Sequence, residues 1–150
     1  MEGLIIYDSV YGNTEQIAQA IGNALSSQMD VEVIRINDMN TIKLTGLKLL
    51  IIGSPTHGGS ATEAVQDFLK HLSESTIQDI NVAAFDTRLT TRLVKIFGYA
   101  SGKIANSLKK KGGILIASPE PFFVQGRKGP LKEGELERAA RWANDLVKQK

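Results

Sequence analysis

A hydroxyl-rich loop near the amino terminus carries the residues with the clearest capacity for chemistry. Ser9, Gly12, Asn13 and Thr14 follow an apolar run over 4–7 and precede a pattern in which apolar residues recur at helical spacing. The first amide N–H groups of a helix are unpaired, and together with the helix dipole they attract phosphate. The segment therefore predicts a phosphate site between a buried strand and a helix. The alternative is an ordinary turn that joins a strand to a helix.

The same segment predicts how the first helix begins. Asn13 is a good N-cap residue, and Gln16 three positions further on would complete a capping box with it. The helical spacing of Ile17, Ile21 and Leu25 predicts the face that this helix buries.

Strand and helix patterns alternate along the rest of the chain. Further strands are expected over 31–36, 47–53, 80–85 and 114–117, the first of these at an edge of the sheet because its apolar and polar residues alternate. One helix is expected to begin at Ser60, which with Glu63 forms a second capping box. Further helices are expected over 99–111 and over 132–148, the latter with Leu136 facing inward. Residues 118–130 show no regular pattern and predict an irregular excursion.

This alternation is typical of an α/β fold. It predicts one domain over 1–150, a doubly wound five-stranded parallel sheet in the order 2-1-3-4-5 with helices on both faces. In that order strand 2 lies on one side of strand 1 and strand 3 on the other, so the topological switch point lies between the first and third strands. Loops 9–14, 54–59 and 86–94 are therefore expected to converge at one edge of the sheet and to hold a ligand there.

Composition excludes several kinds of function. The 150 residues contain no cysteine and two histidines, so thiolate catalysis is excluded and a metal site is not expected. A formal net charge of +2 gives no support for nucleic-acid binding, and no apolar run is long enough to span a membrane. The first strand begins too early to leave room for a signal peptide, so we expect a cytoplasmic protein.

Other chemistries of α/β proteins do not fit these residues. The segment 98–103 resembles a P-loop but has one residue too few between its glycines, and Ile104 replaces the required Ser or Thr. A Rossmann G-x-G-x-x-G is absent from the first turn, and no G-x-S-x-G nucleophile elbow occurs. We therefore name no catalytic residue.

The loop 9–14 resembles the phosphate-binding loop of flavodoxins, whose usual form is Ser/Thr-x-Thr-Gly-Asn-Thr. It departs from that form at Tyr11, where the family commonly has a small hydroxyl residue. The resemblance covers nearly the whole chain and implies an FMN cofactor. It implies that Ser9, Asn13 and Thr14 hold the phosphate through side chains, and Tyr11 and Gly12 through amides.

The loop after the third strand resembles the second flavin loop of the same family. By this resemblance the loop would bind the cofactor through Ser54, Pro55, Thr56, His57 and Gly58, and Pro55 to Gly58 would flank the flavin ring. His57 takes the position of the aromatic residue that stacks on the inner face of the ring. The alternative for His57 is a loop residue that faces solvent.

The loop after the fourth strand departs most from the family. Asp86, Thr87 and Arg88 would line the pyrimidine edge of the flavin, mostly through backbone groups, and Thr87 to Leu89 would flank the ring. Arg88 would stabilise a reduced, anionic flavin there, or else be solvated. The outer stacking tyrosine of the family should fall near Val94, and this sequence has no aromatic residue at that point.

The resemblance implies an FMN-binding protein that carries electrons between redox partner proteins, as a monomer or weak homodimer. One alternative is an FMN-dependent reductase of a quinone or protoporphyrinogen-type substrate, and another is a flavin-free interaction module with the same fold. Flavodoxins are usually strongly acidic, whereas this chain is slightly basic. Its partner is therefore not expected to recognise the negative surface typical of the family.

Overall fold

The computed structural model describes residues 1–41, 44, 46–90 and 99–148. The strands are β1 (Gly3–Tyr7), β2 (Val31–Arg35), β3 (Leu49–Pro55), β4 (Asn81–Arg88), β5 (Ile114–Leu115) and β6 (Glu120–Phe123). The helices are α1 (Asn13–Leu25), α2 (Glu63–His71), α3 (Glu74–Ile77), α4 (Ala100–Lys110) and α5 (Glu135–Lys148), with a 3₁₀ helix over Ile36–Thr41.

The strands form one parallel sheet in the order β2-β1-β3-β4-β5, and β6 also pairs with β4. The order confirms the predicted doubly wound fold. β1 lies between β2 and β3, so that Ile5 is opposite both Val33 and Ile51. The topological switch point of the sheet therefore lies between β1 and β3. The loops that follow these two strands lead to opposite faces of the sheet.

Alternation along β1 divides the apolar core into two layers. Leu4 and Ile6 point to the face covered by α2 and α4, where they belong to the same cluster as Val65 and Ile104. Ile5 points to the opposite face, which α1 and α5 cover. Both faces are thus packed, and every residue of β1 and β3 is buried. β2 is only half-buried, as predicted for an edge strand.

The fifth strand differs from the prediction because it is interrupted. β5 is two residues long and pairs with Asn81 and Val82 of β4, and β6 then pairs with residues 85–88 of the same strand. Pro119, which precedes β6, has no N–H to donate to a sheet ladder. The predicted irregular excursion over 118–130 therefore contains a strand. The added pairing extends β4 to Arg88, three residues beyond its predicted end.

Both predicted capping boxes are absent. Gly12, with φ 91°, is the N-cap of α1, and the Asn13 side chain makes no cap bond. The N-cap of α2 is Thr62 rather than Ser60, and its hydroxyl accepts from Val65 N. The Thr62 hydroxyl also donates to Asp8 Oδ2 at 2.6 Å, so a contact with the end of β1 fixes this cap.

The last helix begins three residues later than predicted and leaves Leu136 40% exposed, so the prediction that Leu136 faces inward is wrong. In this first turn Glu135 is the buried residue, because its carboxylate accepts from Phe123 N at 2.7 Å and pairs with Arg138. Further along, Trp142 packs edge-on against Phe85 and Phe122.

In the described ranges, none of the helices combines the length and the apolar character that a membrane crossing requires.

Candidate functional site

A cavity of about 290 Å³ lies at the carboxyl edge of the sheet, where the loops after β1, β3 and β4 meet. Most of the predicted site residues line it: Ser9, Tyr11, Asn13, Thr14, Pro55, Thr56, His57, Gly58, Thr87, Arg88 and Leu89. Gly12, Ser54 and Asp86 do not line it. Val10, Gly59, Val124 and Arg127 line the cavity and were not predicted.

The loop after β1 is held in shape by the hydroxyl of Ser9. Ser9 Oγ accepts from Gly12 N at 3.0 Å and from Glu15 N at 3.4 Å. Gly12 allows the tight turn into α1 because only glycine adopts a φ of 91° without steric cost. Since Ser9 Oγ accepts both bonds, the proton of its hydroxyl is left to donate elsewhere.

The amide N–H groups of Asn13 and Thr14 begin α1, whose first intrahelical bond runs from Gln16 N to Gly12 O at 3.2 Å. Helix geometry gives the N–H groups of this first turn no acceptor inside the helix. Both residues are buried and line the cavity. The cavity is therefore bordered by peptide donors and by the positive end of a helix dipole.

A polar network supports this loop from behind. Asp8 accepts from Ser9 N at 2.9 Å and from the Thr62 hydroxyl, which ties the loop to the start of α2. Arg35 at the end of β2 donates to the Ser9 carbonyl and lies 4.0 Å from Glu15. The loop is thus braced by two neighbouring segments of the chain.

The Tyr7 hydroxyl completes the support, donating to Glu15 Oε2 at 2.6 Å. Burial, followed by this bond to a carboxylate, raises the pKa of Tyr7 to about 12. Tyr7 is therefore a neutral hydrogen-bond donor at ordinary pH.

Thr14 is joined across the cavity floor to Thr87 at the end of β4. Their hydroxyl oxygens are 2.7 Å apart, and both residues are buried. Two hydroxyls carry two protons, and the bond between them uses one. Whichever of the two donates, one proton of the pair stays free to bond a further acceptor.

The loop after β3 turns back on itself at His57. His57 and Ser60 exchange backbone hydrogen bonds of 3.0 and 3.1 Å around Gly58 and Gly59, whose φ values are 58° and 81°. Two successive positive φ angles are typical of the tight hairpin turn that glycine favours. This turn carries the His57 ring to the mouth of the cavity.

The His57 ring lies beside the ring of Tyr11, with the centroids 6.4 Å apart and the planes inclined at 61°. Partial burial, and secondarily the positive charge of Arg127, hold the pKa of His57 below its ordinary value. At neutral pH the site therefore presents an uncharged imidazole.

Asp86 and Arg88 form a buried ion pair at the end of β4, so Arg88 is not a solvated residue. Arg88 Nε and Nη2 donate to the two Asp86 carboxylate oxygens at 2.8 and 2.9 Å, and its guanidinium lies 3.6 Å from the centroid of the Tyr99 ring. Asp86 is fully buried and also accepts from Ser101 N at 3.0 Å. The sequence placed Asp86 at the ligand, whereas the structure turns it towards α4.

Ser54 also turns away from the cavity. It is fully buried, donates to its neighbouring Pro55 carbonyl and accepts from Thr62 N at 3.0 Å. Ser54 therefore shapes the loop rather than lining the cavity. The expected position of an outer aromatic residue, near Val94, lies outside the described residues.

The fourth wall of the cavity is the loop over residues 124–131, which the sequence had not connected with the site. Val124 and Leu131 pair as an isolated antiparallel bridge, Val124 N donates to Arg88 O at 3.0 Å, and Asn13 Nδ2 donates to Lys128 O at 3.2 Å. These bonds hold Arg127 at the cavity. The only sequence signal was a pair of basic residues between two glycines.

The arrangement can bind an anion beside a flat, uncharged group. Hydroxyl and amide donors surround one end of the cavity, and His57, Leu89 and Val124 line it with aromatic and apolar surface. Its volume is at the low end of the range of about 300–1,000 Å³ for ligand pockets. A ligand of cofactor size would thus remain partly at the surface.

Comparisons with known proteins agree with this architecture. Residues 4–137 match the sequence model of the flavodoxin domain family. A curated relative, probable flavodoxin 1 of Bacillus subtilis (strain 168), is 33% identical over 86 residues, which is 56% of this chain and about half (54%) of that protein. A flavodoxin of Clostridium beijerinckii is 26% identical over 145 residues, covering 93% of this chain and 98% of the relative.

Among solved structures, oxidised flavodoxin 2 from Bacillus cereus superposes with a TM-score of 0.83 at 23% identity and covers all of both chains. This likeness confirms the fold. The match to the family model spans most of the sequence, and the chain therefore belongs to the flavodoxin domain family.

Proposed function

We propose that this chain binds FMN at the cavity and carries electrons between redox partner proteins. Membership of the flavodoxin domain family supports a flavin electron carrier in general terms. The observation that carries the choice of FMN is the set of donors around Ser9, Thr14 and Thr87, which suits a phosphate group better than the neutral end of riboflavin.

The phosphate would be held without any cationic side chain of loop 9–14, which contains none. The donors are the Ser9 hydroxyl, the spare proton of the Thr14–Thr87 pair and the amides at the start of α1. Hydrogen bonds to a charged acceptor are about twice as strong as neutral ones, so a few such donors suffice. Asn13 has a different role here, because its side chain fastens loop 124–131 to the phosphate site.

The flavin ring would lie between the loop after β3 and the two segments that end β4 and follow β6. His57, neutral at ordinary pH, supplies a flat surface, and Thr56, Leu89 and Val124 exclude water from the remaining sides. Bound FMN supplies the capacity to accept and release electrons, and the chain supplies binding and electrostatics. We assign no acid or base to the chain.

A fluorescence titration tests the binding. Apoprotein is added to FMN, and we expect saturable quenching of flavin fluorescence with a 1:1 end point. Absence of quenching at micromolar protein would overturn the proposal and would favour a flavin-free interaction module.

Electron transfer is tested on the reconstituted protein. Chemical reduction followed by ferricyanide should bleach and restore the visible flavin absorbance through repeated cycles. A carrier is expected to show no sustained turnover with NAD(P)H and a quinone. Sustained turnover with that pair would favour a flavin-dependent reductase instead.

A further inference from the structure

Four exposed cationic side chains lie on the segments around the cavity or form hydrogen bonds to those segments. Arg127 lines the cavity, and Lys128 follows it in the loop fastened to Asn13. Lys103 Nζ donates to Ser60 Oγ at 3.1 Å, and Lys132 Nζ donates to Thr90 Oγ1 at 3.2 Å. Within the described residues none of these four cations forms an ion pair, so their charges are open to solvent or to a partner.

The carboxylates nearest the cavity are already engaged. Asp8 accepts two hydrogen bonds, Glu15 accepts from Tyr7, and Asp86 is paired with Arg88. On the strand beside them, Glu120 is paired with Arg138. Asp8 and Glu15 also share Arg35, at 3.9 and 4.0 Å, so arginines compensate part of this negative charge.

Further carboxylates lie at the starts of helices on this edge: Asp38, Glu63, Glu133 and Glu137. All four are solvent-exposed and none lines the cavity, whereas the exposed Arg127 does. The lining of the cavity is consequently positive, although the whole chain has a net charge of only +2.

Exposed apolar surface lines the same cavity as Arg127. Val10 is 54% exposed and Tyr11 is 40% exposed, and both line the cavity. Protein interfaces combine an apolar centre with a polar or charged rim. Val10 and Tyr11 would form such a centre, and the four cations its rim.

We infer that the surface around the cavity docks a redox protein whose surface is acidic around its electron-transfer centre; this docking surface comprises Val10, Tyr11 and Arg127 of the lining and Lys103, Lys128 and Lys132 of the adjoining segments. The inference rests on the proposed function, because electron tunnelling falls steeply with distance and the partner must approach the bound flavin. Complementary charge would steer the encounter and fix its orientation. In each productive encounter one electron leaves the donor centre and enters the acceptor, so one protein is oxidised as the other is reduced.

The test uses the FMN-loaded protein and a plant-type [2Fe–2S] ferredoxin as the acidic probe. Reduced ferredoxin donates one electron to the oxidised flavin, and stopped-flow absorbance gives the second-order rate constant. Raising the ionic strength from about 0.01 M to about 1 M shortens the Debye length from about 30 Å to about 3 Å. We expect the rate constant to fall by at least about tenfold over this range. With cytochrome c, a basic acceptor of electrons from the reduced protein, the rate constant should instead rise or stay level.

Two double variants, each lacking two positive charges, test which part of the surface causes the salt dependence of the rate constant. Arg127→Gln/Lys128→Gln removes two charges from the docking surface and keeps the Lys128 carbonyl that Asn13 binds. Lys109→Gln/Lys110→Gln removes two exposed charges at the far end of α4, at the opposite edge of the sheet. The first should lower the low-salt rate with ferredoxin about tenfold, the second less than about twofold.

Equal losses in the two variants, or a rate with ferredoxin that does not fall with salt, would overturn the docking surface while leaving FMN binding intact. If the chain takes up no FMN, the proposed function fails, and calorimetric titration of the flavin-free chain with the same ferredoxin decides the docking alone. Association weakened by salt and by the Arg127/Lys128 variant would support it, and no association would overturn it.

Discussion

Arg88 and Arg127 line the same cavity, but they differ in burial and in whether a carboxylate neutralises their charge. Arg88 is nearly buried, is bound at two atoms by Asp86 and lies over the Tyr99 ring. Arg127 is exposed and has no ion pair within the described residues. Arg88 therefore stabilises the structure of the cavity wall, and Arg127 contributes positive electrostatic potential to the cavity.

The largest effect is expected when the buried pair is broken. Asp86→Asn leaves the Arg88 guanidinium without its counter-charge, and breaking a buried pair on one side costs about 3–5 kcal/mol. Denaturant unfolding of the two proteins measures the difference in the free energy of unfolding.

Arg127→Gln is the matched comparison for that measurement. Because Arg127 is exposed and unpaired within the described part of the chain, its replacement should change the free energy of unfolding by less than about 0.5 kcal/mol. A loss of similar size in both variants would show that the two arginines do not divide their roles in this way.

A smaller effect is expected from removing the hydroxyl of Ser9. Ser9→Ala deletes the acceptor of the Gly12 and Glu15 amides, which should cost about 1–2 kcal/mol of stability. It should weaken FMN binding about tenfold, since it also deletes one donor to the phosphate. Ser60→Ala, in the turn after His57, is the control and should leave FMN affinity unchanged. Equal losses of FMN affinity in the two variants would show that Ser9 does not bind the phosphate.

The smallest effect concerns the pKa of His57. Arg127→Gln removes the second of the two causes that lower this pKa, so the value should rise towards its ordinary level. It should stay below that level, because partial burial is the larger cause and persists. An NMR titration of the His57 ring measures the shift, and Lys109→Gln should produce none.

The same pKa gives the direction of a pH effect on stability. The folded state binds the proton at His57 more weakly than the unfolded state does. The contribution of His57 is therefore fully present above the ordinary pKa of about 6.5 and is lost as the pH falls below it. His57→Gln should flatten this part of the stability profile, which thermal melts across that pH range can follow. An unchanged profile would show that the shift has no energetic consequence.

The sequence predicted those features that depend on local pattern. The strand order followed from the alternation of strands and helices, and the cavity lies where loops 9–14 and 54–59 were expected to meet.

The features that the sequence missed depend on contacts between distant segments. Ser60 and Thr62 are equally plausible caps in sequence, and Asp8, 54 residues away from Thr62, decides between them. The burial of Asp86 could be predicted only by knowing that α4 places Ser101 N beside the Asp86 carboxylate. Loop 124–131 reaches the cavity through Asn13, and no periodicity in residues 118–130 could have shown that contact.

The preference of the protein for FMN over riboflavin tests the central claim most directly. We expect the wild-type protein to bind FMN at least about a hundredfold more tightly than riboflavin, because only FMN offers a phosphate to several charge-assisted hydrogen bonds. Thr14→Val/Thr87→Val removes both partners of the buried hydroxyl pair, so neither is left unsatisfied. This double variant should reduce the preference about tenfold and leave riboflavin affinity unchanged. Equal affinity of the wild-type protein for the two flavins would contradict the account, because the loop over residues 9–14 would then hold no phosphate.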